Sequence, residues 1–298
     1  MVKQTLYFGN PAYLKTRTEQ LVVEKQDDGE IRSFPIEDLG VLILDHAQIT
    51  ITSGLMAKLL ENNVALISCD STHHPTGLML NLDGHTLQSR QFAAQMSASL
   101  PLKKQLWQQT VMAKIYNQAF LLKQQHKEHK FLLNLAVEVK SGDAENHEAK
   151  AASYYWKKLF PESFGFRRDR HGMPPNNLLN YGYAILRAIV ARSLVGSGLL
   201  PTLGIFHRNQ YNAYCLADDI MEPYRPFVDK LVCLLCNSQK PDFELTPGLK
   251  RELLTIPAMD VCLEGQKSPL MIAVQRTTAS LARCFKGKAK KIVYAELG

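Results

Sequence analysis

The stretch Gly204–Pro226 (GIFHRNQYNAYCLADDIMEPYRP) contains side chains suited to binding a divalent metal ion. A histidine, His207, comes first, and three acids follow it closely: Asp218, Asp219 and Glu222. At helical spacing Asp219 and Glu222 fall on one face, and Pro223 makes the helix stop or kink at Glu222. A carboxylate on such a helix end, with an imidazole nearby, could form a metal site. Spacing alone favours another interpretation, an amphipathic helix with a solvated acidic face.

Two further segments carry candidate functional side chains. Glu148 lies in NHEAKAA, which opens a predicted helix through Trp156, and the small residues after it leave its side chain uncrowded. An acid in the first turn of a helix is also common because it interacts with the helix dipole. The segment Asn176–Tyr183 (NNLLNYGY) places three amides and two tyrosines at the start of an apolar helix. Buried asparagines need hydrogen-bond partners, so this cluster is either a cap or a binding surface.

The elements that precede these segments are predicted to be β-rich over the first 80 residues. Ala12–Gln26 is a long run with many Thr, Val and Leu residues, and the turn signal Asp27–Gly29 joins it to Ile31–Phe34 as a hairpin. The other predicted elements are two strands and a helix: Leu39–Leu44, Val64–Cys69, and Ser53–Asn62 with Ser53 as its N-cap. The polar segment Asp70–Gly84 is predicted to be a linker.

Helical periodicity replaces the strand pattern from Leu87 onward. The predicted helices that follow are Thr86–Ser99, Lys103–Gln125 and Glu128–Ser141, the first two separated by Pro101. The sequence therefore predicts an α+β fold, with a β-rich domain at residues 1–80 and a mainly α-helical domain at residues 81–298. The basic run Lys286–Lys291 near the end is predicted to be a mobile tail.

The net charge of +7 is unevenly distributed along the 298 residues. Residues 1–80 carry six Lys/Arg against ten Asp/Glu, whereas residues 81–298 carry 29 against 18. Between Gly84 and Val137 there are seven Lys/Arg and a single acid, Glu128. The helical part is therefore the part that could meet a polyanion such as DNA.

Composition is that of an ordinary globular protein, with 46% hydrophobic and 21% charged residues. No uninterrupted apolar run reaches the ~18 residues that a membrane span needs. The nearest candidate, Tyr183–Phe206, is interrupted by Arg187 and Arg192. The N-terminal residues lack the apolar stretch of a secretory signal. We therefore expect a cytoplasmic protein without a membrane partner.

The motifs above occur in an order that resembles a known family. Glu148 in NHEAKAA, then NNLLNYGYAIL, then the histidine followed by an acidic helix ending in Glu-Pro-Tyr-Arg-Pro resemble the CRISPR-associated integrases that insert new spacers into CRISPR arrays. The resemblance covers essentially the whole chain, including the order of a β-rich domain, a linker and a basic helical domain. The spacing is similar to that of the short subtype found in type II systems.

The resemblance implies a metal site made by Glu148, His207 and Glu222, with Asp219 as an auxiliary carboxylate. Two oxygen ligands and one nitrogen suit Mn²⁺ or Mg²⁺ better than Zn²⁺. The implied reaction is strand transfer, in which a DNA 3′-hydroxyl attacks a phosphodiester. The third ligand is the open assignment, since Asp218 and Asp219 lie near Glu222.

The resemblance also implies partners. These are double-stranded DNA as prespacer and as CRISPR repeat-leader, a second copy of the chain, a small companion CRISPR-associated subunit and the type II effector nuclease. The residues that we expect to contact DNA are Arg90, Asn177, Tyr181 and Arg225. Two alternatives stay open at this point: a general metal-dependent nuclease in DNA repair, which would use water as nucleophile, and a non-catalytic DNA-binding scaffold.

Overall fold

A computed structural model of the chain describes residues 3–25, 30–238 and 244–297. The strands are β1 (Gln4–Phe8), β2 (Ala12–Arg17), β3 (Gln20–Lys25), β4 (Ile31–Pro35), β5 (Leu39–Leu44), β6 (Ile49–Ile51), β7 (Ala65–Cys69), β8 (Pro75–Met79), β9 (Asp260–Leu263) and β10 (Gln266–Pro269). The helices are α1 (Ser53–Glu61), α2 (Gln88–Met96), α3 (Leu100–Gln124), α4 (Lys130–Glu138), α5 (His147–Leu159), α6 (Asn176–Gly196), α7 (Cys215–Met221), α8 (Arg225–Ser238), α9 (Pro247–Leu253) and α10 (Leu270–Phe285). A β-rich N-terminal region precedes a mainly helical one, which confirms the predicted α+β fold.

The N-terminal region contains two four-stranded sheets, in the strand orders β1-β5-β7-β8 and β4-β3-β2-β6. In β5, Val41 and Ile43 belong to the apolar core formed mainly by the helices, whereas Leu42 belongs to the core of the N-terminal region. Successive side chains of a strand point to opposite faces, so β5 is buried on both sides. That double burial explains why its sequence, LGVLIL, is continuously apolar.

The single long strand predicted over Ala12–Gln26 is wrong, because the chain reverses within it. The predicted antiparallel pairing with Ile31–Phe34 is confirmed for its second half, β3. Strands β2 and β3 form an antiparallel hairpin in which Arg17 pairs with Gln20. The two residues between them, Thr18 and Glu19, have positive φ angles of 49° and 59°. Such a two-residue turn usually uses Gly, Asn or Asp, and Thr-Glu gave no turn signal. The predicted turn at Asp27–Gly29 lies outside the described residues.

The linker predicted at Asp70–Gly84 is partly a strand. Pro75–Met79 forms β8, which pairs antiparallel with β7 at the edge of the first sheet. An edge strand is exposed on one side, so it tolerates polar residues and a proline. These residues made the segment resemble a loop in the sequence. The N-cap of α1 also differs from the prediction, because Thr52 and not Ser53 accepts a hydrogen bond from the Leu55 amide.

A buried ion pair joins the N-terminal sheet to the helices. Asp45, at the end of β5, accepts hydrogen bonds from Lys250 Nζ of α9 and from Tyr7 Oη, both at 2.6 Å. His73 Nδ1 lies 2.8 Å from the other carboxylate oxygen. Burial alone would raise the pKa of Asp45, but the bonds from Lys250, Tyr7 and His73 outweigh burial and lower it. The two regions are therefore connected by charge as well as by apolar packing.

The C-terminal segment after α10 is docked on the helices, so the prediction of a mobile tail is wrong. Ile292, Ala295 and Leu297 are buried in the helical core. Asn117 of α3 donates to the Ala295 carbonyl at 3.0 Å and accepts from the Leu297 amide at 3.0 Å. The prediction relied on the lysines, which make the segment polar. The apolar residues that follow them pack into the core and hold the segment on the helices.

Helix α6 is long and apolar enough to cross a membrane by length and composition alone. Of its most apolar 18-residue window, 83% is buried inside the protein, where α6 packs against α10, α7 and α8. A helix in the core of a globular protein can be as long and as apolar as a membrane span. The burial of α6 therefore accounts for its apolar sequence.

Candidate active site

The centre of the site is an ammonium group shared by two carboxylates. Lys114 Nζ, from the middle of α3, lies 2.7 Å from Glu148 Oε1 and 2.6 Å from Glu222 Oε2. The lysine is 8% exposed and Glu222 is 6% exposed, so the contacts lie at the edge of the core. Two of the predicted ligands, which come from separate helical segments, are thus brought together on one positive charge.

Glu148 is positioned by the cap of α5. Asp143 accepts hydrogen bonds from the amides of His147 and Glu148, at 2.8 and 3.0 Å. Asn146, which directly precedes α5, has a φ angle of 56°. Asp143 satisfies two of the backbone donors that a helix N-terminus leaves free, and its charge suits the positive end of the helix dipole. Glu148 is therefore placed in the first turn of a helix whose start is well defined.

His207 is positioned by a loop that wraps around one buried carboxylate, Asp219. The amides of Ile205, Phe206 and His207 donate to the Asp219 oxygens at 2.7, 3.0 and 3.2 Å. His207 Nδ1 also lies 2.6 Å from Asp219 Oδ1. An Nδ1–H that donates to a carboxylate leaves Nε2 as the free acceptor nitrogen, which is how histidine ligands are commonly held. The predicted auxiliary acid therefore acts on His207 and on its loop.

Gly204 is required where this loop comes close to α7. A Cβ atom at position 204 would lie 2.4 Å from the His207 carbonyl oxygen and 2.8 Å from Asp219 Oδ2. Side-chain atoms cannot approach that closely, so only glycine allows the loop to close over Asp219.

Glu222 lies at the end of α7, as Pro223 predicted. The helix ends at Met221, a single 3₁₀ turn spans Glu222–Tyr224, and α8 begins at Arg225. Arg225 Nε donates to Glu222 Oε1 at 2.8 Å, and its guanidinium lies 4.5 Å from the centre of the Tyr183 ring. Both carboxylate oxygens of Glu222 are therefore bonded to cations.

The cations determine the protonation state of this cluster. Burial alone would raise the pKa of Glu222, but the charges of Arg225 and then Lys114 outweigh burial and lower the pKa to about 2. Burial alone would likewise lower the pKa of Lys114, but Glu222 and Glu148 raise it. The pKa of His207 is raised, chiefly by its hydrogen bond to Asp219. Charges of Glu222 and Glu148 contribute to that increase, so the histidine lies within electrostatic range of both acids.

The donor groups fit a divalent metal ion by their chemistry. Among the described residues, no three His, Cys, Asp or Glu side chains lie close enough to hold one ion together. The Lys114 ammonium instead stands between the two carboxylates as their shared cation. Two carboxylates that converge on a cation, with an imidazole whose Nδ1 is bonded to Asp219, are a donor set that suits Mn²⁺ or Mg²⁺. Glu148, Glu222 and His207 are thus the residues that could hold it.

Two other acids near the site, Asp218 and Asp229, are bonded elsewhere. Asp218 accepts from Arg187 Nε and from Asn212 Nδ2, each at 2.7 Å. Asp229, one turn into α8, is buried beneath Tyr183 and accepts hydrogen bonds from Tyr155 and Tyr183. Burial outweighs these bonds and raises the pKa of Asp229 to about 6. Both acids support the elements around the site.

The four residues predicted to contact DNA lie in different environments. Arg90 is exposed on α2, and Asn177 is half-buried at the start of α6. Arg225 is directed to Glu222. The prediction for Tyr181 is wrong, because its ring is 0% exposed and cannot meet DNA. Tyrosine in a polar cluster suggested a binding surface, but residue 181 is on the face of α6 that packs into the core.

Sequence reasoning missed Lys114 as part of the site and Arg168 as a support of α6. In the sequence, Lys114 has no feature that separates it from the other helix lysines, since its partners are remote. Arg168 donates to Asn176 Oδ1 and Asn180 Oδ1, both at 2.8 Å, and thereby ties the preceding loop to α6. The amide cluster of NNLLNYGY offered the available signal, because buried asparagines need partners.

Replacement of Asp219 by asparagine is expected to lower metal-dependent activity by about 10–100-fold. The amide oxygen can still accept from the Ile205 and Phe206 amides, but the amide nitrogen in place of Oδ1 cannot accept from His207, so the Nδ1–H form of His207 loses its partner. The effect should be smaller than that of Glu222→Gln, because Asp219 acts through His207. The matched control is Asp218→Asn, whose partners are Arg187 and Asn212. If Asp219→Asn is the more damaging of the two acid substitutions, the assignment of the third ligand to Glu222 is wrong.

The fold is that of a CRISPR-associated class of proteins. Residues 6–256 match the family described as CRISPR associated protein Cas1. The chain is 38% identical over 282 residues to a CRISPR-associated endonuclease Cas1 of Neisseria meningitidis, covering 94% of this chain and 91% of that protein. A Cas1 endonuclease of Francisella tularensis subsp. novicida is 28% identical, with 93% of each chain covered. The chain therefore belongs to the Cas1 family.

Solved structures show the same fold. A casposase bound to an integration product superposes with a TM-score of 0.79 at 21% identity, covering 98% of this chain and 92% of that one. A Cas1 protein from Thermotoga maritima gives a TM-score of 0.75 at 14% identity and covers 98% and 100% of the two chains. A chain of a Cas6-RT-Cas1–Cas2 complex gives a TM-score of 0.76 at 21% identity. The match covers 100% of this chain and 36% of that longer chain.

Proposed function

We propose that this chain is a metal-dependent DNA integrase that inserts short prespacer DNA into a CRISPR array by strand transfer. Membership of a family that contains named endonucleases supports nuclease or integrase activity. The observation that carries the proposal is the convergence of Glu148 and Glu222 on one cation, with His207 held by Asp219 within electrostatic range of both acids. These are three side-chain donors on separate segments, as a phosphoryl-transfer metal site needs.

The proposed reaction exchanges one phosphodiester for another. The oxygen of a DNA 3′-hydroxyl attacks a target phosphorus, the bond to the target's own 3′-oxygen breaks, and that oxygen leaves with a proton. A divalent ion held by Glu148, Glu222 and His207 would act as a Lewis acid on the phosphate oxygens. Asp219 keeps His207 Nε2 available, and Arg225 keeps Glu222 ionised and in place. Exposed Lys and Arg side chains of the helical region, such as Arg90, would hold the DNA backbone.

The test is an integration assay with metal removal. A labelled prespacer duplex and a supercoiled plasmid that carries the array are incubated with Mn²⁺ or with EDTA. We expect joined product in Mn²⁺ and a loss of at least about 100-fold in EDTA, because charge neutralisation at the phosphate is removed. A duplex with 3′-dideoxy ends is the control, since it has no attacking hydroxyl. Cleavage of the plasmid without joining would instead identify a general nuclease, and DNA binding without either product would identify a scaffold.

We also propose that two copies pair through residues 1–80. This region has more acids than bases, so it is poorly suited to DNA. Strand β4 is at the edge of its sheet, and Ile31 on it is 65% exposed, so that pairing would cover an open edge. Light scattering at micromolar concentration should give twice the chain mass of 33.6 kDa. Ile31→Lys should shift the protein towards monomer, and a monomeric wild-type protein would contradict the proposal.

The small companion subunit and the type II effector nuclease remain proposed partners. A complex that contains Cas1 and Cas2 has the same fold in its Cas1 part, which supports a Cas2-like companion for this chain. The companion would bridge two dimers, so that two active sites address the two ends of one prespacer.

A further inference from the structure

Lys114 has an environment that differs from that of an ordinary helix lysine. Its ammonium is almost completely buried and lies within 2.7 Å of both Glu148 Oε1 and Glu222 Oε2. Lys123, nine residues further along the same helix, is exposed to solvent. A buried ammonium needs charged partners to offset the loss of water. The two proposed metal ligands supply those partners.

We propose that Lys114 is a resident counter-ion of the metal site, which holds Glu148 and Glu222 together in the metal-free protein and leaves that position when a divalent ion binds. The inference rests on the proposed function, because it takes these two glutamates as metal ligands. Lys114 is then a positioning residue, and its ammonium competes with the metal ion for the carboxylate oxygens of Glu148 and Glu222.

The charge balance of the cluster supports this competition. Lys114 and Arg225 contribute two positive charges against the two carboxylates, so these four groups are electrically balanced. A divalent ion added without any movement would leave two uncompensated positive charges in a buried site, which is unfavourable at short range. Withdrawal of Lys114 removes one of these charges and a DNA phosphate that enters with the ion offsets the other, so the two events together restore the balance.

Coupling between metal and DNA follows from this arrangement. In the protein alone, an ion must displace the Lys114 ammonium, so binding is weakened. When a duplex is bound, its phosphate supplies negative charge that both the ion and the displaced ammonium can contact. Lys114 would thus delay metal loading until substrate is present, and would then add to the positive charge around the reacting phosphate.

The first test measures Mn²⁺ affinity without DNA, from the paramagnetic resonance signal of free Mn²⁺. Lys114→Met is expected to bind Mn²⁺ at least about tenfold more tightly than wild type, because the competing cation is gone. Its melting temperature without metal should fall, and saturating Mn²⁺ should restore it. Lys123→Met is the matched control and should match wild type in both measurements. Unchanged or weaker Mn²⁺ binding by folded Lys114→Met overturns the proposal.

The second test uses the wild-type protein and so does not depend on the variant's folding. Lysines are labelled by reductive methylation without metal and with saturating Mg²⁺, and the fraction of Lys114 that is methylated is measured by mass spectrometry. Displacement predicts at least a threefold increase at Lys114 when Mg²⁺ is added, while Lys123 is labelled equally in both samples. Equal labelling of Lys114 in the two samples overturns the proposal.

These outcomes separate the inference from the function on which it rests. A wild-type protein that joins DNA ends in Mn²⁺, but whose Lys114 labelling does not respond to Mg²⁺, retains the proposed function and loses this role for Lys114. A wild-type protein that neither binds Mn²⁺ nor joins DNA ends overturns both.

Discussion

Glu148→Gln and Glu222→Gln should each reduce the rate of DNA joining by at least about 1,000-fold. Groups that stabilise a transition state as a unit depend on one another, so the loss of one group removes most of the stabilisation that the set provides. Each substitution removes one of the two carboxylates that converge on the Lys114 ammonium. The amide has the same shape but carries no charge, so it binds a divalent ion poorly. The measurement is the rate of joined product in the integration assay, with Mn²⁺ in excess.

The controls for this prediction separate chemistry from folding and from DNA affinity. Glu145→Gln changes an exposed acid that precedes α5 and should retain wild-type activity. Gel-shift affinity for the prespacer duplex should change less than about threefold in both glutamine variants, because binding depends on contacts to many phosphates. Joining at more than a tenth of the wild-type rate by either variant would remove that residue from the site.

Deletion of residues 291–298 should destabilise the protein by at least about 4 kcal/mol, as expected when several buried apolar side chains are lost. The deletion removes Ile292, Ala295 and Leu297 from the core. It also removes two of the three backbone partners of the buried Asn117 side chain and leaves only the Pro223 carbonyl. A loss of that size is a large part of the total stability of a typical domain, so partial unfolding is expected. The measurement is urea unfolding followed by circular dichroism.

A triple substitution of exposed lysines is the control for the deletion. Lys288→Gln, Lys290→Gln and Lys291→Gln keep the docked backbone and remove only charge, so the free energy of unfolding should change by less than about 1 kcal/mol. The triple variant reports any contribution of these lysines to DNA affinity, which the deletion cannot do. A deletion variant as stable as the full chain would contradict the docking of this segment.

The local sequence by itself predicted where the site residues lie along the chain. Pro223 placed Glu222 at the end of a helix, because proline cannot continue the hydrogen bonds of the preceding turn. Helical periodicity predicted α2, α3 and α4 to within a few residues, and the motif order around Glu148 and His207 indicated the family. Each of these inferences depends on residues close together in sequence, where spacing and backbone preference are sufficient.

Only the tertiary structure decided which side chains meet. Lys114 is 34 residues from Glu148 in sequence, and helical spacing cannot show that its ammonium joins this acid to Glu222. Asp219 resembled a possible ligand, but packing turned it towards the backbone of the His207 loop. Tyr181 and the C-terminal segment were judged by polarity, yet Tyr181 and the apolar residues of that segment are buried. Burial is determined by the whole core, which a short stretch of sequence does not show. Contacts between remote segments result from packing of the entire chain. The sequence could therefore predict candidate donors, whereas only the fold determined their partners.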